Sequence, residues 1–281
     1  TPVIHQGASI PTTSVDYPSS VTLYLLLEDW KLTQTRPRTI TTVENALEEF
    51  ARCAGVVVVE QLTRNHARKY RDLLIEKGLS KSTIENRLGF LATLFRHGQK
   101  ELIEHLHINP FDHIEIRAQP IRAPKNRRAF ENSELSRIVH SSLYRQGHVV
   151  KGQVAEAAYW LPLLGMFTGA RLEEICQLYL SDIQLINGVY AIRFANLEEG
   201  QKLKTQSSFR RVPIHKQLIA CGFLKHVEQM KTLGHDRVFP SLSNANSHGT
   251  FSNAAGKWFA RFLDSVKLTD SRLDFHSFRY T

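Results

Sequence analysis

The sequence predicts a mainly α protein of two domains, the second carrying a small antiparallel sheet. Three observations predict this: helical apolar periodicity in both halves, a basic proline-bearing stretch between them, and two β-prone runs confined to the second half. The 281 residues, 42% hydrophobic and 22% charged, have a globular balance and enough length for two cores. Lysine and arginine outnumber the acids 36 to 27, for a net charge of +9, which favours a polyanionic partner where the charge is clustered. Cys53, Cys176 and Cys221 are widely separated and lack C-x-x-C spacing, which argues against a disulfide framework or zinc knuckle and suits a reducing, cytosolic setting. The longest apolar stretches, such as Tyr159 to Phe167, are about half of the roughly 20 residues a membrane-spanning helix needs, and no signal peptide is evident. The chain starts at Thr1 rather than Met, and Thr281 follows what reads as an unfinished helix; both ends suggest a fragment.

Residues 1–20, with Pro2, Pro11 and Pro18 among serines and threonines, read as an extended lead-in. From 21 to 115 the pattern is helical: Leu23, Leu26, Leu27 and Trp30 share one face, and Val43, Leu47 and Phe50 another. The clearest helix spans about Ser80 to His97, where Ile84, Leu88, Leu91 and Phe95 form one buried stripe and Ser82 with Glu85 has capping-box spacing. Its other face offers Lys81, Thr83, Asn86, Arg87 and Arg96, in a window (61–100) holding nine basic residues against three acids. That face is either a solvated helix surface or a place where phosphates are met. Residues 116–128 include RAQPIRAPKNRR, five basic residues and two prolines without an acid, and read as an interdomain linker in which Arg127 could track a backbone.

From 129 onward helices return. The apolar run Tyr159 to Phe167 is expected to be central, with Pro162 starting or kinking its helix. Val189 to Phe194 and Arg210 to Ile214 read as strands, joined by a polar connection with Lys202 and Lys204; helices are expected again at about Lys216 to Lys231 and Phe251 to Val266. Trp30, Trp160 and Trp258 sit in helical apolar patterns and read as packing residues. His105 and His107 stand two apart with no supporting carboxylate or cysteine, so no metal site is expected.

Three segments carry chemistry: TGARLEE (168–174), LKTQSSFRRVP (203–213) and HSFR (276–279). Arg171 follows Thr168 and Gly169 at a loop-to-helix junction, where a guanidinium and backbone amides can meet one phosphate; the plainer reading is an ion pair with Glu174. Lys204 is either a solvated turn lysine or a mobile proton donor. His276 and Arg279, three apart, project from one helical face and could hold two oxygens of one phosphate. Arg210 and Lys202 add positive charge to the same window, 201–215, which has no acid.

In that order, Arg171, Lys204, His276 and Arg279 resemble the tyrosine recombinase family, which includes phage integrases and Cre-like enzymes. The resemblance covers about 129–281 as an incomplete catalytic domain of the DNA breaking-rejoining type, and the helical part at 21–115 looks like the family's core-binding domain. It implies that double-stranded DNA is the partner, that a homotetramer forms on it, and that strands are cleaved and rejoined through a 3′-phosphotyrosyl intermediate. Arg171 and Arg279 would stabilise a pentacoordinate phosphorane, Lys204 would protonate the leaving 5′-oxygen, His276 would assist, and Glu174 would support Arg171. No metal or other cofactor is implied, and the setting would be a bacterial or phage-encoded, nucleoid-associated cytoplasmic protein. The chain departs from the family in ending two residues after Arg279, before any nucleophilic tyrosine, so these residues are expected to bind DNA without cleaving it. Tyr280 differs from Arg279 by about 100° in helical direction and is a poor substitute, and LGH at 233–235 precedes HSFR and reads as a turn. A non-enzymatic architectural protein or repressor, or a type IB topoisomerase, would share much of this pattern.

Overall fold

The computed structural model describes residues 20–102, 108–116, 126–147, 152, 154–202, 208–246 and 249–281. The chain forms two compact units that divide between Pro124 and Lys125. The lead-in (apart from Ser20), His105, His107, Lys204 and most of the 116–128 stretch lie outside the described residues.

The first unit is a four-helix bundle: α1 (Leu23–Leu32), α2 (Pro37–Ala54), α3 (Arg64–Glu76) and α4 (Lys81–Glu101). Each helix starts and stops for a local reason. Thr22 accepts the Leu25 amide at 3.2 Å, Pro37 opens α2 where its missing N–H costs nothing, and Gly55 closes α2 in the left-handed region at φ 70°. The faces read from the sequence are the buried ones: Leu23, Leu26, Leu27 and Trp30 from α1, Val43, Leu47 and Phe50 from α2, and Ile84, Leu88, Leu91 and Phe95 from α4. Phe111 stacks edge-on against both Phe50 and Phe95, at 4.8 and 5.2 Å between ring centroids, and closes the core. The Ser82–Glu85 capping box does not form. The helix begins at Lys81, two residues earlier than a Ser82 cap would set it, so Ser80 is the residue whose Oγ can reach the Thr83 amide (3.3 Å), and Ser82 is already within the first turn.

The second unit is helical around one apolar helix. After α5 (Asn132–Val139) and α6 (Ser142–Gln146) comes α7 (Ala157–Thr168), buried along most of its length. Pro162 does not start it: the helix opens five residues earlier, and the ring sits inside it. Around α7 pack α8 (Leu172–Cys176), α9 (Lys216–Ala220), α10 (Phe223–Thr232) and α11 (Ser252–Ser265), with Trp258 and Phe262 of α11 stacked at 5.3 Å. The single helix expected over 216–231 is two, because Gly222 turns left-handed at φ 92° between them. Trp30, Trp160 and Trp258 are all buried.

The sheet has three strands rather than two, in the order β1 (Ile183–Ile186), β2 (Val189–Phe194), β3 (Arg210–Pro213), all antiparallel. Ile183 pairs with Ile192, which pairs in turn with Val212. The unforeseen β1 is joined to β2 through Asn187 and Gly188, both left-handed (φ 49° and 80°), the conformations a tight two-residue hairpin turn requires.

Candidate active site

Gly169 ends α7 in the left-handed region, its amide bonded to the Gly165 carbonyl at 3.0 Å, and Thr168 Oγ1 accepts the Ala170 amide at 3.2 Å. This abrupt turn sets Arg171 at the start of α8 with extended backbone. Glu174, one turn on, accepts the Arg171 amide with Oε2 (3.0 Å) and the Arg171 guanidinium with Oε1 (2.6 Å). Arg210 of β3 donates to the same carboxylate at 2.8 Å, while its guanidinium lies 4.4 Å from the Phe194 ring centroid. Glu174 is only 3% exposed. Burial pushes its carboxyl upward, yet the hydrogen bonds from Arg210 and Arg171 prevail and hold it below its ordinary value, so it stays ionised. Arg171 Nη1 also donates to Ser208 Oγ at 3.0 Å, and its side chain remains 31% exposed. An ion pair with Glu174 and an accessible guanidinium are therefore compatible here: the carboxylate holds the arginine from beneath.

His276 and Arg279 lie on a short 3₁₀ helix (Phe275–Arg279), not an α-helix. With three residues per turn, positions three apart eclipse one another, so the pair shares a face more closely than α geometry would give. Asp274 caps it, Oδ1 accepting the His276 amide at 2.8 Å. Phe275 and Phe278 anchor it against α7 at Gly165, where an added Cβ would come within 2.7 Å of both rings. Arg279 Nη1 then donates to the Gly169 carbonyl at 2.8 Å, two residues before Arg171. That bond brings the two sequence-distant arginines to one junction. The His276 imidazole is held below its ordinary value, first by burial and then by the positive charges of Arg127, Arg279 and Arg171, with Asp274 opposing. Neutral imidazole is thereby favoured.

Lys204 lies outside the described residues; the described residues on either side of its segment are held beside α8. Gln177, just past α8, donates to the Lys202 carbonyl at 3.0 Å and accepts the Lys202 amide at 2.9 Å; Ser208 is held by Arg171. Gln201 is buried and donates to Asp182 at 2.7 Å, and Arg193 Nε donates to the other oxygen of that carboxylate at 2.9 Å. Gly165, Gln177, Ser208 and Asp274 all escaped the sequence reading. Asp274 alone had a visible signal, the D-x-x-S spacing of a helix cap with Ser277.

No family model matches the sequence, and no curated protein matches it. Solved structures do. The Tn1549 transposon integrase in complex with transposon right-end DNA superposes with a TM-score of 0.65 at 19% identity, over 92% of this chain and 84% of that one. A lambda integrase dimer bound to a core site gives 0.59 at 15%, over 92% and 68%. The XerH site-specific recombinase on a palindromic difH substrate gives 0.61 at 20%, over 85% and 66%. The fold is that of the tyrosine recombinases.

Within this recombinase fold, the other residues singled out from the sequence divide by their partners. On α4, Lys81, Thr83 and Asn86 are exposed or half-buried, with Lys81 3.9 Å from Glu85. Arg96 reaches Asp112 at 3.3 Å. Arg87 turns to Glu49, which also receives the Tyr70 hydroxyl at 2.9 Å and Lys77 at 2.6 Å. Arg210 is likewise committed to Glu174. Arg127 is not loose linker but pairs with Asp274 at 2.6 Å. Lys202 is exposed, and LGH at 233–235 forms an exposed turn, with Gly234 at φ 76°. Among the described residues no cluster of potential metal ligands and no helix long and apolar enough to cross a membrane is found.

Proposed function

We propose that this chain binds double-stranded DNA and forms the phosphate-activating part of a site-specific DNA recombinase of the integrase type. The observation that carries the reading is the convergence of Arg171, seated on Glu174, and Arg279, bonded to Gly169, at one accessible junction beside His276. Two guanidiniums so placed suit a phosphate whose charge grows as an attacking oxygen bonds to phosphorus. The DNA complexes of the Tn1549 and lambda integrases and of XerH support the same reading.

In the proposed reaction a tyrosine oxygen attacks the scissile phosphorus, the bond to the 5′-oxygen breaks, and a 3′-phosphotyrosyl link remains. Lys204 delivers a proton to the departing 5′-oxygen; His276, neutral at physiological pH, accepts or relays the proton of the attacking hydroxyl or holds a phosphate oxygen. The phosphodiester energy is retained in the new link, so the reverse attack by a 5′-hydroxyl reseals the strand. Tyr280 is 57% exposed and lies edge-on to His276 at 5.6 Å between ring centroids, and we assign the attacking tyrosine to residues outside these 281. Assembly as a homotetramer on DNA belongs to the proposal and is supported by the lambda integrase tetramer bound to a Holliday junction.

A nicked duplex, which traps the covalent intermediate, tests this. The 281-residue chain should bind it without forming an adduct, whereas the whole encoded protein should form an adduct that maps to a tyrosine. An adduct on the 281-residue chain would overturn the assignment of the nucleophile. No adduct with the whole protein on any DNA that it binds specifically would overturn the enzymatic reading.

A further inference from the structure

The residues that enter the second unit run beside those that carry His276 and Arg279. Arg127 Nε donates to Asp274 Oδ2 at 2.6 Å, the Arg128 amide donates to the Arg272 carbonyl at 3.4 Å, and Arg128 Nε donates to Asp270 Oδ2 at 2.9 Å. Two residues on, the Phe130 amide donates to Thr281 Oγ1 at 3.1 Å, and the Phe130 ring centroid lies 4.7 Å from that of Phe278. The pairing thus extends from before the 3₁₀ helix to just past its end. Asp274 is its pivot: one carboxylate oxygen takes Arg127, the other accepts the His276 amide at 2.8 Å, and its own amide donates to Ser277 Oγ at 3.1 Å. A carboxylate is planar and rigid, so turning it to suit one partner moves it against the other.

From this geometry we propose that Asp274 is a positioning residue whose orientation is set by Arg127, so that the entry to the second unit fixes the placement of His276 and, one turn later, of Arg279. The kinetic consequence rests on the recombinase reading; the structural one does not. The inference gives Arg127 a different task from the phosphate contact expected from its basic surroundings: it holds a carboxylate that holds the helix.

Two measurements test it. In the isolated chain, amide hydrogen exchange at His276 should be at least about fivefold faster in Arg127→Ala than in the parent, although Arg127 does not touch that amide, with global stability checked by denaturant unfolding. In the whole encoded protein, single-turnover cleavage at saturating nicked DNA should slow about fivefold in Arg127→Ala and in Asp274→Asn, the size expected of a half-exposed ion pair. DNA affinity should be unchanged, and the double variant should be no slower than the slower single one, since each breaks the same contact. Arg127→Lys should recover part of the rate. Unchanged exchange at His276 overturns the inference, as do independent, multiplying losses in the double variant. So does a loss of affinity with a weaker salt dependence in Arg127→Ala at unchanged saturated rate, which would mark a phosphate contact. A whole protein that cleaves no DNA sinks the recombinase reading alone, and the exchange measurement still decides the positioning role.

Discussion

At the scale of single residues, the site is organised by buried or half-buried carboxylates that hold arginines in place. Glu174 is the clearest case, with two guanidiniums on one carboxylate that water scarcely reaches. Because its folded pKa is depressed, its contribution is present above the unfolded carboxylate value of about 4.3 and is lost as pH falls through the folded value. Glu174→Gln should cost about 2 kcal/mol at pH 7, below the range for a fully buried pair because each arginine is about a third exposed. It should also flatten the loss of stability on acidification, as read by thermal melts from pH 7 to 3; an unchanged acid limb would contradict the sign. His276 follows a different rule, since burial and positive neighbours disfavour its charged form. Its folded pKa is lowered, so folding loses stability as pH drops below the unfolded histidine value of about 6.5. Its NMR titration should fall below that value, and Arg127→Ala, which removes a positive neighbour, should move it upward. At this scale the sequence singles residues out by order and spacing but says little about their partners. Arg171, His276 and Arg279 stood out by order and spacing, but that Arg87 and Arg210 face carboxylates depends on Glu49 and Glu174 arriving from other segments, which no local pattern records.

At the scale of elements, the central feature is the close approach of the 3₁₀ helix to α7 at Gly165. Without a Cβ there, Phe275 and Phe278 seat directly on the helix backbone and bring Arg279 within reach of Gly169. Gly165→Ala should cost about 1–3 kcal/mol through overpacking and displace that helix. Denaturant unfolding checks the cost, and adduct formation by the whole protein should fall with it; an alanine tolerated in both assays would contradict the role given to Gly165. The long helices were legible because each shows one apolar face at helical spacing. β1 was not, since its four residues IQLI are too few to establish alternation, and two of them are exposed on an edge strand. The Asn187-Gly188 pair was the available signal. Helix starts and breaks were the least legible, as Ser80 against Ser82 and Gly222 within 216–231 show, because one residue of backbone geometry decides them.

At the scale of the whole molecule, two units with separate cores carry an excess of nine positive charges, and several of the exposed basic side chains lie where the sequence placed a DNA contact. Binding of the chain to duplex DNA should weaken steeply with salt. Lys81→Ala and Lys202→Ala should each reduce the salt slope by about one if each meets a phosphate, whereas Arg87→Ala and Arg210→Ala should act mainly on stability. Equal effects on the slope from all four would contradict this division. The split between the two compact units, after Pro124, falls inside the basic proline-bearing stretch at 116–128, and its last residues, Arg127 and Arg128, are tied to the second unit through Asp274 and Asp270. Composition cannot distinguish a basic residue waiting for a phosphate from one already held by a carboxylate.

On the proposed reading, Arg171 and Arg279 act on one phosphate rather than merely holding the fold together. That reading is tested most directly by measuring covalent adduct formation and DNA affinity together, on the same nicked duplex, for the whole encoded protein and its Arg171→Ala and Arg279→Ala variants. Each variant should lose at least about 100-fold in adduct formation while remaining folded and binding the duplex nearly as tightly as the parent. Adduct formation at the parental rate in either variant would contradict it.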